Sequence, residues 1–548
     1  MTSLTDVSTT APAAAAPYEA EVNRRRTFAI ISHPDAGKTT LTEKLLLYSG
    51  AIEQAGSVRA RKNQRNVTSD WMALERERGI SITSTALQFE YREHIFNLLD
   101  TPGHQDFSED TYRTLMAVDS AIMVLDGAKG IEPQTRRLFE VCRLRNIPIL
   151  TFINKLDLAS REPLSLIDEI DRTLNMKAIP ANWPVGTGSF FQGIYDFDQH
   201  NVLCFQRTAR GALRAASRVT TLEDPALPGL LGAYNWNQLR EEIELLDADE
   251  REFDTARFLN GQVTPVFFGS AVNNFGVESF LEALIRLAPP PRVTESLGDP
   301  VHPASADFSG IVFKIQANMD PNHRDSMAFL RVVSGRFEKD MIVSHPRLKR
   351  SIRMARPHRL FAAERETVQE AYAGDVIGLT NPGVFVIGDT VYSGKPVQFP
   401  PIPRFQPERF AKLVNLTVSK NKQFNTGLKQ LEEEGVIQVF YGQHFARREP
   451  ILGAVGELQF DVVVARMANE YGVETQIMQQ PYVAVRWVDP AALEAATAGR
   501  STSLVQVTDQ QERHAVLFPS VWDLGYLIRQ HPNLVLSDAA GNPLGAEI

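Results

Sequence analysis

The sequence has little cysteine, no excess of positive charge and no long apolar run. Among 548 residues there are only two cysteines, Cys142 and Cys204, so neither a disulfide framework nor a cysteine zinc site is expected. This usage fits the reducing cytoplasm, where we expect the protein to reside. The net charge of −9 gives no global electrostatic reason for nucleic-acid binding, so any contact with RNA would depend on local patches.

No stretch approaches the roughly 18 consecutive apolar residues that a membrane helix needs, and we expect no membrane association. The N-terminal stretch is rich in Ala, Thr and Pro, but it lacks the basic start and the Leu-rich run of a signal peptide. We therefore predict that residues 1–23 form a disordered tail.

A chain of this length exceeds the capacity of one hydrophobic core, so we predict a multidomain protein. Residues 24–293 alternate apolar runs with segments of helical spacing, which is typical of an α/β domain with a mostly parallel sheet. In such sheets, ligands bind beyond the carboxyl ends of the strands. The predicted buried strands are residues 28–31, 95–99, 121–125, 148–153 and 265–268.

Prolines mark two boundaries further along the chain. A linker begins at Pro289, Pro290 and Pro291, and a second Pro-rich stretch lies at residues 399–407. Residues 304–399 then show β-rich segments with glycine turns, which predict a β-barrel domain. Residues 408–548 predict an α+β domain that begins with the order β-α-β-β-α-β, the split βαβ (ferredoxin-like) arrangement. The sequence shows no internal repeat.

A candidate phosphate-binding loop follows the first predicted strand and opens a helix. Successive backbone N–H groups and a helix N-terminus can hold anionic phosphates. Lys38 can reach the β- and γ-phosphates, and the Thr39 hydroxyl can ligate Mg²⁺. The glycine that usually begins this pattern is replaced by serine. The predicted phosphate-binding residues of the P-loop are Ser32, His33, Pro34, Asp35, Ala36, Gly37, Lys38 and Thr39.

A second motif directly follows the strand at residues 95–99. Asp100 can hold Mg²⁺ through water, and the Gly103 N–H can sense a γ-phosphate. His104 is placed to orient the attacking water and is the predicted catalytic residue. The phosphate-binding residues predicted here are Asp100, Thr101, Pro102, Gly103 and His104.

Two further motifs predict which base is bound. The Asp157 carboxylate can accept from both N1–H and N2–H₂ of guanine, whereas adenine presents no such pair of donors. Asn154 and Lys155 would brace the base and the phosphate loop, and backbone N–H groups after the strand at residues 265–268 could meet the guanine O6. The predicted guanine-binding residues are Asn154, Lys155, Leu156, Asp157, Ser270 and Ala271.

A polar stretch at residues 78–81 supplies one more hydroxyl. Ser81 could complete the Mg²⁺ shell only when a γ-phosphate is present, as in the order–disorder switches of nucleotide hydrolases. The predicted Mg²⁺ ligands are thus Thr39, Ser81 and, through water, Asp100. Upstream basic residues indicate either a solvated flexible loop or an RNA contact: Arg59, Arg61, Lys62 and Arg65.

These motifs occur in a fixed order at successive strand ends, so the sequence predicts a GTPase that binds GTP or GDP with Mg²⁺. With them the chain resembles the translational GTPases, and within them the bacterial class II peptide chain release factors. Three longer strings carry the closer resemblance, at residues 106–114, 313–321 and 456–461. The likeness runs from about residue 24 to the C-terminus. Ser81 stands where most relatives have threonine, and both supply a hydroxyl.

The resemblance implies a ribosome-stimulated GTPase that promotes dissociation of class I release factors from the ribosome after peptide release. The expected partners are the ribosome, through its RNA and proteins, and the class I factors bound there; the protein itself is expected to be a monomer. No arginine in the motifs is placed as a built-in catalytic finger, so slow intrinsic turnover is expected. Elongation factor G adds two further domains, for which too little chain follows Met478.

Two functions of other classes compete with this interpretation. A phosphotransferase is disfavoured because Asp157 selects guanine and His104 suits water. A nucleotide-gated scaffold that scarcely hydrolyses GTP is opposed by the presence of His104. Within the long segment at residues 158–263, we expect the aromatic residues to form a local core rather than a binding patch: Trp183, Phe190 and Phe191.

Overall fold

The structure is a computed structural model that describes residues 17–52, 83–205, 217–248, 253–317, 326–361, 364–442, 449–497, 504–539 and 541–544. Three folded parts follow one another along these residues. We call them the first domain, the barrel and the C-terminal unit, and we define each by its helices and strands.

The first domain is an α/β layer. Its elements, in chain order, are α1 (Glu19–Asn23), β1 (Arg25–Ser32), α2 (Lys38–Ser49), β2 (Thr85–Tyr91), β3 (His94–Asp100), α3 (Ser108–Leu115), β4 (Ser120–Asp126), α4 (Pro133–Leu144), β5 (Ile149–Asn154), α5 (Pro163–Leu174), β6 (Lys177–Pro180), β7 (Asn182–Val185), β8 (Gly193–Asp196), β9 (Asn201–Phe205), β10 (Ser217–Thr220), α6 (Leu227–Leu231), α7 (Ala233–Ala248), α8 (Thr255–Leu259), β11 (Val263–Phe268) and α9 (Val277–Leu287).

The strands of the main sheet lie in the order β2-β3-β1-β4-β5-β11-β6. Neighbouring strands are parallel except for the pair β2–β3. Successive side chains of β1 enter two different cores, since Phe28 and Ile30 pack on one face and Ala29 and Ile31 on the other. The prediction of a mostly parallel sheet buried on both faces is therefore confirmed.

The segment at residues 158–263, between the two base-recognition motifs, contributes to the main sheet and also forms a sheet of its own. Helix α5 leads to β6, which joins the main sheet beside β11, while β7 to β10 form a separate antiparallel sheet. Trp183 and Phe191 are buried in the core, as expected, and the Trp183 indole donates to Glu242 at 2.7 Å. Phe190 was expected in that core as well, but 66% of its surface is exposed. It lies in a single 3-10 turn, at residues 188–190, in which no residue is buried.

The prediction of a disordered tail at residues 1–23 needs one correction. Helix α1 occupies Glu19–Asn23, and the Val22 side chain is buried against Ala304 and Ala373. The ordering has a physical cause, because a buried apolar anchor and the bond between Arg25 and Glu21 at 2.6 Å fix this turn. Residues 1–16 lie outside the described residues.

The barrel, within the described residues, consists of ten strands around the apolar core that contains Val312, Leu330 and Val391. They are β12 (Phe308–Ala317), β13 (Ser326–Ser334), β14 (Arg336–Glu338), β15 (Ile342–His345), β16 (Arg350–Arg353), β17 (Pro357–Phe361), β18 (Glu364–Thr367), β19 (Glu370–Tyr372), β20 (Val376–Asn381) and β21 (Thr390–Ser393). Strand β17 pairs with β2, so the sheets of the first domain and the barrel are continuous. A buried ion pair between Arg25 and Asp375, at 2.8 Å, fixes the same interface.

The C-terminal unit is α+β and contains one eight-stranded antiparallel sheet. Its elements are β22 (Arg409–Asn415), α10 (Asn421–Glu433), β23 (Gln438–Gly442), β24 (Pro450–Ala454), α11 (Leu458–Asn469), β25 (Thr475–Gln480), β26 (Ala484–Val488), α12 (Pro490–Thr497), β27 (Val505–Asp509), β28 (His514–Phe518), α13 (Val521–Gln530) and β29 (Leu536–Ser537). The predicted order β-α-β-β-α-β is present in β22 to β25.

The same order of elements occurs a second time, in β26 to β29. The sheet order is β25-β22-β24-β23 in the first half and β27-β28-β26-β29 in the second, which is the same topology viewed from the other end. The halves join where β23 pairs with β27. The fold is thus repeated although the sequence shows no repeat, because topology depends on the pattern of apolar positions and not on residue identity.

Candidate functional site

The predicted phosphate loop lies between β1 and α2. Ser32 is the last residue of β1 and pairs with Val124 of β4, so its backbone is extended and does not need glycine. The positive φ angles of the loop occur later, at Asp35 (67°) and Gly37 (96°). A Cβ atom at Gly37 would lie 2.2 Å from Asn154 Nδ2, so only glycine fits there.

The second motif meets this loop through a buried ion pair. Lys38 is the first residue of α2, and its Nζ donates to Asp100 Oδ1 at 2.6 Å. Asp100 Oδ2 is also buried, and it has no hydrogen-bond partner among the described residues. The adjacent Thr101 hydroxyl donates to the Ile30 carbonyl at 2.7 Å, which fixes the end of β3 beside β1. One carboxylate oxygen next to the phosphate loop is therefore left for a further ligand.

The base-recognition motif braces the same loop from β5. Asn154 Nδ2 donates to the Ala36 carbonyl at 2.9 Å, and Asn154 Oδ1 accepts from the Ala271 N–H at 2.9 Å. Lys155 Nζ donates to the Asp35 carbonyl. The structure thus brings three predicted motifs together around one side chain, Asn154.

The rest of this motif divides into a packing part and an accessible part. Leu156 is fully buried in the apolar core, so its side chain packs and does not face a ligand. Asp157 follows it and is half-buried. The backbone N–H groups of Ser270 and Ala271 donate to the Phe275 carbonyl and to Asn154, respectively. These two residues were predicted to meet the guanine O6; here their donors position the loop and Asn154.

Asp126, at the carboxyl end of β4, was not predicted from the sequence. Its carboxylate lies 2.9 Å from Lys155 Nζ. Burial opposes ionisation of Asp126, but the hydrogen bonds from Lys155 and from the backbone N–H of Ala128 outweigh it and lower its pKa. Of the five predicted buried strands, only the one at residues 121–125 has no predicted motif at its carboxyl end. Because the other four each lead into a motif, the residue at this end, Asp126, was a candidate that the sequence already offered.

His104, the predicted catalytic residue, follows β3 and precedes a 3-10 turn at residues 105–107. Its Nδ1 accepts from the Asp106 N–H at 3.2 Å and lies 3.4 Å from Asp106 Oδ1. The side chain is 31% exposed, so it remains accessible to solvent. Gly103 packs its backbone against Pro34, since a Cβ at Gly103 would lie 3.5 Å from Pro34 Cα. The histidine segment therefore borders the phosphate loop.

Residues 78–81, including Ser81, lie outside the described residues, as do Arg59, Arg61, Lys62 and Arg65. The structure resumes at Thr83. The Ser84 N–H donates to Asp110 Oδ2 at 2.8 Å, which attaches the residue just before β2 to α3. The predicted third hydroxyl ligand stays a prediction.

Known proteins decide the family. The chain is 54% identical over 527 residues to peptide chain release factor 3 of Rippkaea orientalis, which covers 96% of this chain and 97% of that protein. It is 53% identical over 543 residues to the protein of the same name from Synechocystis, which covers 98% and 99%.

The chain belongs to the peptide chain release factor 3 family. It is a translational GTPase of translation termination, and it binds guanine nucleotides and hydrolyses GTP. The α/β, barrel and α+β architecture predicted from the sequence is confirmed.

Three family models match successive parts of this family member. The elongation factor Tu GTP binding domain matches residues 23–290, elongation factor G domain 2 matches residues 307–394, and the class II release factor RF3 C-terminal domain matches residues 399–528. A crystal structure of a protein from Thermus thermophilus has the same fold, with a TM-score of 0.67 at 21% identity, covering 89% of this chain and 72% of the other. Within the described residues, no helix is both long and apolar enough to cross a membrane.

Proposed function

We propose that this GTPase promotes dissociation of class I release factors from the ribosome after peptide release. The observation that carries the proposal is the likeness to peptide chain release factor 3 along nearly the whole chain, barrel and C-terminal unit included. In this proposal the ribosome stimulates hydrolysis, the protein acts as a monomer, and it works in the cytoplasm.

The phosphates occupy the loop of residues 32–39 in this proposal. Backbone N–H groups at the start of α2 face them, and Lys38 moves from Asp100 to the β- and γ-phosphates. The backbone of Thr101, Pro102 and Gly103 also lies close to the phosphates in this proposal. Thr101 fixes the end of β3 beside β1, and Gly103 packs on Pro34 of the phosphate loop.

Mg²⁺ fits the same place. Asp100 Oδ2 is a buried carboxylate oxygen without a hydrogen-bond partner among the described residues, and such an oxygen suits water-mediated contact with a hard cation. Thr39 would supply a direct hydroxyl ligand and Ser81 a second one. When bound, the ion neutralises charge that develops on the phosphates.

Guanine is selected at the carboxyl end of β5. Asp157 accepts from the two donors of the guanine edge, and Asn154 is held for the base by Ala36 and Ala271. Lys155 lies along the loop between Asp35 and Asp126, where its aliphatic stem can cover one face of the base.

His104 orients the attacking water. Because its Nδ1 is held by Asp106, its Nε2 points away from that residue and is the nitrogen available to a water molecule. We assign catalysis to this residue alone.

A post-termination ribosome that carries a labelled class I factor tests the proposal. Adding the protein with GTP should release the label, and adding it with GDP should not. The His104→Ala variant serves as the matched control, since it should bind GTP without turning it over. Label that stays bound with wild-type protein and GTP would contradict the proposal.

A further inference from the structure

One hydrogen bond joins the histidine segment to the C-terminal unit, 352 positions along the chain. The Leu458 N–H donates to Asp106 Oδ2 at 2.9 Å. Leu458 is the first residue of α11, and its N–H is one of the donors that a helix cannot satisfy within itself. A carboxylate at this position also interacts favourably with the positive end of the helix dipole. Asp106 of the first domain thus caps a helix of the C-terminal unit.

The capping contact is closely packed. A Cβ atom at Gly456 would lie 2.0 Å from Asp106 Cγ, so the carboxylate rests directly on the Gly456 backbone. Gln459 holds that backbone, because its Oε1 accepts from the Val455 and Gly456 N–H groups at 2.7 and 3.0 Å. The contact therefore joins Asp106 directly to the start of α11.

A second anchor lies at the other end of the segment. Arg113 of α3 donates to the Glu434 carbonyl at 3.2 Å, and its guanidinium lies over Gly435. The Glu434 carboxylate is buried and bonds Arg466 of α11 at 2.7 and 2.9 Å. Both ends of residues 106–113 are consequently attached to the C-terminal unit.

Asp106 is also the residue that holds His104. Its N–H donates to His104 Nδ1, and its Oδ1 lies 3.4 Å from the same nitrogen. One carboxyl group therefore contacts the imidazole with one oxygen and helix α11 with the other. Phe107 adds an apolar contact on the same path, since its ring meets the imidazole edge-on at 6.2 Å and packs against Val462 of α11.

We propose that Asp106 is a positioning residue that makes the orientation of His104 depend on how the C-terminal unit is docked. The inference rests on the proposed catalytic role of His104. A displacement of α11 pulls Asp106 with it and changes the angle of the imidazole. A partner that binds the C-terminal unit thus acts on hydrolysis without touching the nucleotide.

The decisive variant is Gly456→Ala, which alters only the C-terminal side of the contact. Its methyl group should displace the Asp106 carboxylate and lower ribosome-stimulated kcat about tenfold or more, because small misplacements of a catalytic group are costly. The KM for GTP should stay unchanged, since the phosphate loop and Asp157 are not affected. Gly298→Ala is the matched control, because a methyl there meets only Ser296 Oγ at 3.8 Å.

Two variants of Asp106 itself complete the set. Asp106→Ala removes both side-chain contacts and should lower kcat at least as much as Gly456→Ala. Asp106→Asn keeps an oxygen acceptor for the Leu458 N–H and should recover part of that loss. The double variant Asp106→Ala with Gly456→Ala should lose no more than the worse single variant, because both act through one contact.

Hydrogen exchange gives a readout that does not need the ribosome. Peptides covering residues 104–115 should exchange faster in Gly456→Ala than in wild type or Gly298→Ala, while peptides covering β5 should not change. This measurement also decides the case in which Gly456→Ala loses stability, since a general loss would raise exchange in both regions and overturn the inference. Additive effects in the double variant, or an unchanged kcat in Asp106→Ala, would overturn it too.

Failure of the proposed function is distinguishable from failure of this inference. If ribosomes do not stimulate wild-type protein, the proposed function is wrong. The inference is then decided by exchange at residues 104–115 together with single-turnover hydrolysis in the absence of ribosomes.

Discussion

The Lys155 ammonium group lies 2.9 Å from the Asp126 carboxylate and at the same time donates to the Asp35 carbonyl. This relationship connects the end of β4 to the phosphate loop through a side chain from the end of β5. Lys155 also has a positive φ of 67°, a backbone conformation that costs free energy for a residue with a side chain. The ion pair helps to hold it there.

Asp126→Asn should weaken GTP binding about tenfold. The variant removes the charge that holds Lys155, and a charge-assisted hydrogen bond contributes on the order of 1.5 kcal/mol or more. Turnover at saturating GTP should not change, because His104 is not involved. Equilibrium titration with a fluorescent GTP analogue measures the effect. Asp168→Asn, which alters an exposed pair with Arg172, is the control and should bind as wild type does.

Asp157→Asn should exchange guanine preference for xanthine preference. Asparagine cannot accept from two neighbouring donors as a carboxylate does, but its amide can meet the additional oxygen of xanthine. The loss of GTP affinity should reach on the order of 10³-fold, as for other unpaired buried polar contacts in specificity sites. Competition between GTP and XTP measures it. Unchanged selectivity would remove Asp157 from this role.

His104→Ala should lower ribosome-stimulated hydrolysis by about 10²-fold or more, which is the contribution typical of a side chain that orients or deprotonates a nucleophile. GTP affinity should be retained, because the phosphate loop does not use the imidazole. Phosphate release with and without ribosomes, next to a binding titration, separates the two effects. Full stimulation in the variant would place catalysis at another residue.

Glu432→Gln should change how stability depends on pH. Burial raises the pKa of Glu432 from its ordinary value of 4.5 to about 7, against the opposing effect of the Val439 N–H. Between these two values the folded state binds more protons than the unfolded state, so stability falls as pH rises. Protonated Glu432 therefore adds roughly 3 kcal/mol to the free energy of unfolding below about pH 4.5. This contribution is lost as the pH rises from 4.5 through 7.

The measurement is the apparent Tm between pH 5 and pH 8. The Tm of wild type should fall by several degrees more than the Tm of Glu432→Gln over this range, because the glutamine amide does not titrate. Glu433→Gln is the neighbouring control, at a side chain that is 29% exposed. Parallel curves for wild type and Glu432→Gln would show that Glu432 does not titrate as described.

Sequence reasoning predicted the elements that carry strong periodicity. The buried strands β1, β3, β4, β5 and β11 were all predicted, because each contains a short, largely apolar run and all of them except β4 lead into a predicted motif. Local identity was also sufficient for the phosphate loop, in which Gly37 is required by a φ of 96°. The departure at Ser32 turned out to have no backbone cost, because that residue ends a strand.

Contacts between distant parts of the chain could not be predicted in this way. Asp126 acts through Lys155, and Asp106 acts through Leu458, so neither is marked by its neighbours in sequence. Phe190 and Phe191 are adjacent and chemically identical, yet only Phe191 is buried, because Phe190 belongs to a 3-10 turn without buried residues and Phe191 follows that turn into the core.

The junction between β23 and β27 decides how this chain can be divided. In each half of the C-terminal unit, the strand that faces the other half would be an unpaired edge if that half stood alone. Open edges of this kind pair readily with other chains. Each half therefore covers the open strand edge of the other and prevents it from pairing with a second chain. A fragment that stops after Gln480 would keep a full set of four strands and still tend to aggregate, so the C-terminal unit is best expressed, truncated or transplanted as one piece.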